Sequence, residues 1–207
     1  MLHITQLKKF YGSFEVLDIP ATQLPNGKYW LKGGNGSGKS TFLNVVAGLL
    51  PFKGDIKIEQ FSIIKNPVQY RQLVNHAPAE PVYPAFVTGQ SLVDFYKSVK
   101  KPATDEIENI KNILGIGDYL NNPTGSYSSG MLKKLSLLLA FIGNPKLILL
   151  DEPFTTLDAA SQAALQQLIR QKNKVSFILT SHHDISITEI PFDQVFAINN
   201  KKLESSK

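Results

Sequence analysis

Short, uniformly apolar runs alternate with amphipathic stretches along this chain, and that alternation predicts most of its architecture. Apolar and β-branched segments bounded by turn residues recur at 2–7, 29–32, 55–58, 147–150, 175–180 and 194–198, which predicts strands there. Several are hydrophobic at successive positions, the pattern of strands buried on both faces of a parallel sheet. Between them apolar residues fall at helical spacing. Ala164, Leu165 and Leu168 make a stripe within 161–172, and further helices are predicted over 40–49 and 131–142. Strands alternating with helices give the α/β class. The stretch from 84 to 123 breaks this rhythm: two amphipathic helices, at 91–99 and 105–114, are separated by Lys101-Pro102 and read as a helical insertion. Without internal repeats or linker-like segments, the 207 residues read as one domain.

Two segments carry chemistry. Gly33-Gly34-Asn35-Gly36-Ser37-Gly38-Lys39-Ser40 has glycine, four residues, glycine, lysine, then serine, set between a predicted strand and a predicted helix. Glycines there let the backbone approach a ligand closely, so that N–H groups from about Gly36 to Thr41 converge on phosphate oxygens at a helix N-terminus. Lys39 then neutralises the β- and γ-phosphates, and the Ser40 hydroxyl takes a place on Mg2+. The glycine spacing of dinucleotide-binding loops does not fit, which disfavours nicotinamide or flavin chemistry.

The second segment, Leu147-Ile148-Leu149-Leu150-Asp151-Glu152-Pro153, ends a buried-type strand in two carboxylates. Alone it reads equally as a strand-ending turn. With a phosphate loop upstream, Asp151 is expected to hold Mg2+ and Glu152 to polarise the attacking water. Successive strand residues point to opposite sides, so the two roles require the chain to turn between them.

Composition narrows the field. An apolar share of 43% against 19% charged supports a packed core rather than a disordered chain. With no cysteine, disulfides, thiolate metal sites and cysteine nucleophiles are excluded. The net charge of +5 is scattered in pairs such as Lys8-Lys9, Lys100-Lys101 and Lys133-Lys134, the signature of a solvated surface more than of a nucleic-acid stripe. The most apolar stretch, 135–150, is broken by Gly143-Asn144-Pro145-Lys146, so no direct insertion into a bilayer is expected. The opening residues lack a signal-peptide pattern, and a cytoplasmic location is expected.

The phosphate loop, the Leu-Leu-Asp-Glu-Pro strand and Tyr127-Ser128-Ser129-Gly130-Met131 together resemble the ATP-binding subunit of ABC transporters over nearly the whole chain. The last segment is a variant of that family's Leu-Ser-Gly-Gly-Gln signature. The resemblance implies a P-loop NTPase core, about 1–83 and 140–207, with a mostly parallel sheet, a small N-terminal antiparallel β part and an inserted helical subdomain at about 84–139. It implies ATP and Mg2+ as cofactors. It implies a head-to-tail dimer with a second nucleotide-binding subunit, in which Ser128, Ser129 and Gly130 contact the partner's ATP. Asp158, in Thr155-Thr156-Leu157-Asp158, is expected either to reach across that dimer or to cap the following helix. His182 is placed as the γ-phosphate switch, with His183 one register away, and Tyr11 as the ring stacking on adenine, with Phe10 as the other reading. His3 and His76 are read as structural. Where the family carries a glutamine between sheet and helical region, this chain has Ala79 or Glu80.

The function expected is an ATPase subunit that powers a separate membrane-spanning permease from the cytoplasmic face of the cell membrane, in export rather than import. The helical section would receive a short helix of that permease, with Phe86, Phe95 and Tyr96 as candidates for the groove or for the core. The alternative is a soluble ATPase of the same type acting on nucleic acid or ribosomes, supported only by an isoelectric point near 9.2. A GTPase is disfavoured because no Asn-Lys-x-Asp segment is present, and a non-catalytic sensor because Glu152 is retained.

Overall fold

A computed structural model describes residues 1–182 and 189–206. Its centre is a six-stranded sheet in the order β11-β10-β4-β9-β8-β7. The strands are β4 (Lys28–Lys32), β7 (Val74–Ala77), β8 (Leu147–Leu150), β9 (Ser176–Ser181), β10 (Gln194–Asn199) and β11 (Lys202–Ser206). All neighbours run parallel except the edge strand β11. Every residue of β8 and β9 is buried; in β8 this follows its unbroken apolar pattern, and in β9 it includes Ser176, Thr180 and Ser181 at the strand's ends.

Alternate residues of those strands feed two cores. Ile148, Leu150, Phe177 and Leu179 face a layer of four helices: α3 (Gly89–Lys100), α4 (Glu106–Leu114), α5 (Ser129–Phe141) and α6 (Ala159–Gln171). Leu147, Leu149 and Ile178 face α1 (Lys39–Val46) and an antiparallel sheet. That second sheet is ordered β2-β1-β5-β6, with β3 (Thr22–Leu24) also pairing with β1. It comprises β1 (Leu2–Tyr11), β2 (Phe14–Ile19), β5 (Lys53–Ile58) and β6 (Phe61–Ser62). Truncating any fully buried leucine of either core, such as Leu149 or Leu165, removes roughly 2–5 kcal/mol of stability. Gly54 lets β1 and β5 meet: at φ 117°, a Cβ there would lie 1.5 Å from the Gln6 carbonyl oxygen.

Several elements differ from the sequence reading. β1 continues four residues beyond 2–7, because Lys9 is buried and its Nζ donates to the Pro51 carbonyl at 2.9 Å. β7 contains Asn75 and His76 and lacks an apolar pattern. Asn75 is nevertheless buried, its amide donating to Ala140 O and Ile142 O at 2.8 and 2.9 Å. α1 ends at Val46 rather than 49, and α5 starts at Ser129 rather than 131. The short helix α2 (Pro67–Leu73) has no counterpart among the predicted helices.

Candidate active site

Four parallel strands deliver their carboxyl ends to one edge of the sheet, the position where open α/β sheets bind ligands. β4 runs into residues 33–38, β9 into His182, β8 into Asp151 and Glu152, and β7 into residues 78–80. Because β9 lies between β4 and β8, with Lys32 beside Ser181 and Leu150 beside Leu179, His182 stands between the loop and the carboxylates. The cleft there has a volume of about 660 Å³ and is lined by Tyr11, Phe14, Val16, residues 35–41, Ala79, Glu80, Glu152, Thr155, Thr156 and His182. That volume lies within the range of small-molecule sites.

The loop is shaped by its glycines. Gly38 sits at φ 101° immediately before α1, a conformation that places the helix start behind the loop without any side-chain cap. Buried Lys39 folds over the loop, its ammonium donating to Gly33 O at 2.7 Å and Gly34 O at 3.0 Å. Gly36, Ser37, Ser40 and Thr41 line the cleft beside it.

The two carboxylates part as their roles require. Asp151 is buried, and its Oδ1 accepts a hydrogen bond from Thr180 Oγ1 at 2.5 Å. Glu152 takes φ 46°, a left-handed conformation that costs a non-glycine residue on the order of 1 kcal/mol. Thr180 Oγ1 accepts from the Glu152 N–H at 2.9 Å, and Thr155 Oγ1 donates to the Glu152 carbonyl at 2.8 Å, holding the turn. The Glu152 side chain therefore enters the cleft, with Oε2 3.0 Å from His182 Nδ1. His183 lies outside the described residues.

Ser40 and Asp151 suit Mg2+, an ion usually held by one or two protein oxygens together with water and substrate phosphate. Among the described residues, no group of three or more His, Cys, Asp or Glu forms a cage of its own.

At the far end, Tyr11 and Phe14 are directly paired across the β1–β2 hairpin, so their rings stand on the same face of the cleft. The Lys9 ammonium lies 4.7 Å from the Tyr11 ring centroid. Phe10 does not line the cleft, and Lys53 sits over its ring at 5.4 Å.

Ser128, Ser129, Gly130 and Asp158 lie apart from that lining. Ser128 caps α5, its Oγ accepting from Met131 N at 3.2 Å. Gly130 packs on the chain beyond Glu152, where a Cβ would come within 2.9 Å of Thr156 O. Asp158 caps α6 through Ser161 N at 2.8 Å and stands 3.6 Å from the Lys134 ammonium. The Ser161 hydrogen bonds, with Lys134 assisting, hold its carboxyl below the usual range.

Residues 18–155 match the family model described as ABC transporter. The chain belongs to that family. It is 31% identical over 192 residues to the ABC transporter ATP-binding protein NatA of Bacillus subtilis, covering 89% of this chain and 78% of that protein. It is 34% identical over 173 residues to ABC transporter A family member 1 of Dictyostelium discoideum, covering 81% of this chain. This chain spans only 20% of that relative's length. A solved structure described as the ATP-binding subunit of an ABC transporter superposes with a TM-score of 0.88 at 23% identity, over 100% of this chain and 90% of that one. A bacterial Atm1-family ABC exporter with ATP bound gives 0.83 at 16%, over 100% of this chain and 38% of that one. At those identities the two structures establish the P-loop NTPase fold.

Three residues of this ABC domain escape the sequence reading. Thr180 joins the two carboxylates, and nothing local sets it apart from Ser176 and Ser181 in the same strand. Phe14 needs the hairpin register to be found. Lys133 reads as half of a surface lysine pair, yet is 1% exposed. Its ammonium donates to Pro78 O, Ala79 O and Asp151 O at 3.1, 2.8 and 3.0 Å. Burial pushes it down to about 8, while the charges of Asp151, Glu152 and Glu80 act in the opposite direction.

Proposed function

We propose that this chain hydrolyses ATP in a head-to-tail dimer and that the dimer's opening and closing drives a separate membrane-spanning permease, in export. The single observation that carries the dimer is the split of the ABC site. The cleft gathers the phosphate loop, Glu80, Glu152 and His182, while Ser128, Ser129, Gly130 and Asp158 stand outside its lining. A twofold pairing would bring each set to the other's nucleotide and complete two sites.

Within one cleft the chemistry is shared out by position. Residues 36–41 and Lys39 hold the phosphates, and Tyr11 with Phe14 offers an aromatic wall to the base. Mg2+, held by Ser40 and Asp151, would neutralise phosphate charge. Glu152 Oε accepts the proton of the attacking water, and His182, 3.0 Å away, orients that carboxylate and reaches toward the γ-phosphate.

The permease reading is supported by a groove of about 430 Å³ along β7 and α3, lined by Leu49, Val82, Phe95, Tyr96 and Val99 among others. Phe86, 84% exposed, is outside that lining. Arg71 and Lys100 sit at the groove, as does His76, which burial pushes down to about 4 and keeps neutral. One loop serves both sites. Pro78, Pro81, Val82 and Tyr83 line the groove, and Ala79 and Glu80 line the cleft. A short apolar helix seated there would move the loop beside the nucleotide. No helix among the described residues is long and apolar enough to cross a membrane, so the proposed place at the cytoplasmic face depends on the permease. The scattered lysine pairs give a nucleic-acid partner no continuous track.

Glu152→Gln tests the reading: it is expected to retain ATP binding, abolish turnover and accumulate an ATP-bound dimer in light scattering. A strictly monomeric variant at saturating ATP would overturn the dimer.

A further inference from the structure

We propose that Lys133 is a positioning residue for ATP hydrolysis, clamping the loop at 78–80 to the end of β8. The proposal rests on the ATPase reading above for its kinetic part only.

The geometry is that of a complete clamp. An ammonium has three N–H donors, and all three find backbone carbonyls: Pro78 and Ala79 on one loop, Asp151 on the other. The two loops have no covalent reason to stay together, since 55 and 18 residues separate Lys133 from Pro78 and Asp151. The Asp151 N–H adds a second tie, donating to Ala77 O at 2.9 Å.

The choice of residue is informative. α5 is otherwise packed with leucines, and Leu135, Leu137 and Leu138 are fully buried. An apolar side chain at 133 would pack without the desolvation penalty of a buried cation. A lysine there, with backbone carbonyls as its hydrogen-bond partners, brings the three donors that an apolar residue lacks, and it is those donors that tie the two loops together. The clamped loop carries Ala79 and Glu80 into the cleft, so its position bears directly on the site. Ser128 also caps α5, so the clamp joins the segment proposed to face a partner to the carboxylates of the chain's own cleft.

The test compares Lys133→Met, which loses donors and charge, Lys133→Gln, which keeps donors only, and Lys133→Arg, which keeps both. In the nucleotide-free protein, amide exchange at Ala79 and Glu80 is expected to accelerate at least about tenfold in K133M and less in K133Q and K133R. Unchanged exchange in K133M overturns the clamp, whether or not the chain turns over ATP. In steady-state hydrolysis, K133M is expected to lose at least about tenfold in kcat with KM for ATP within about twofold, and K133R to recover activity. An unaltered kcat overturns the catalytic part. Should K133M fail to fold in a thermal melt, K133Q supplies the same two readings.

Discussion

Two helices of this protein begin in glycine- and serine-rich loops, and they begin differently. α1 follows Gly38, at φ 101°, with no side chain to cap it. α5 follows Ser128, whose hydroxyl accepts from Met131 N while the Met131 sulfur receives the Ser128 N–H. Both ends carry unpaired N–H groups and the positive end of a dipole. At α1 those groups are left for a ligand, and Lys39 stands over the loop to add charge. At α5 one of them is already committed to the helix's own cap, and the charged residues nearby are Lys133, turned inward, and Lys134, set beside Asp158. The first end thus leaves its N–H groups uncapped beside a cation, as the proposed polyphosphate site requires. The second meets part of its own need, as suits a surface proposed to complement a partner's nucleotide.

The largest effect that separates them is expected from Lys39→Ala. It removes the charged donor proposed to bind the phosphates, worth about 3 kcal/mol, so ATP affinity should fall roughly 100-fold by equilibrium binding. An affinity within a fewfold of the parent would erase the contrast.

Ser128→Ala sharpens the comparison from the other side. Losing an N-cap costs about 1 kcal/mol, which for a chain of this size lowers Tm by roughly 2–4 °C in calorimetry. ATP affinity of the isolated chain should stay within about twofold, because Ser128 is absent from the cleft lining. A large loss of affinity in monomeric protein would mean that both helix starts serve one nucleotide within a chain.

What the sequence made legible follows the same division. The phosphate loop and the Asp151-Glu152 pair are legible because their chemistry is set by neighbours in the chain. Residues 33–40 must be contiguous for N–H groups to converge, and an unbroken apolar run must precede the carboxylates to deliver them from a buried strand. Lys133 and Thr180 were not legible, since their partners lie 55 and 29 residues away and nothing local distinguishes them from a surface lysine or a strand threonine. β7 was hidden for a related reason: Asn75 looks wrong for a buried strand until the carbonyls of Ala140 and Ile142 satisfy it. β11, with Lys202 and Glu204 exposed, is an edge strand whose polar pattern resembles a loop. The head-to-tail reading drew on resemblance, because a surface that waits for a partner leaves no periodic trace.

The smallest effect concerns the aromatic end of the cleft, where Phe10 and Tyr11 are adjacent and of similar size. A strand sends successive side chains to opposite faces, so one ring at most can look into the cleft. Tyr11 does, half exposed and paired with Phe14, while Phe10 carries Lys53 over its ring on the other side. Lys9 sits over one face of the Tyr11 ring and steadies it. Aromatic stacking is worth about 0.5–1.5 kcal/mol, so Tyr11→Ala should weaken ATP binding by roughly threefold to tenfold and Phe10→Leu by less than about twofold. Because the lost contact is to the base and not to phosphate, affinity for inorganic triphosphate should be unchanged in Tyr11→Ala. Lys39→Ala, in contrast, should weaken ATP and triphosphate alike. If Tyr11→Ala weakened both equally, the ring would be acting through the phosphate loop, and the adenine would have to lie elsewhere.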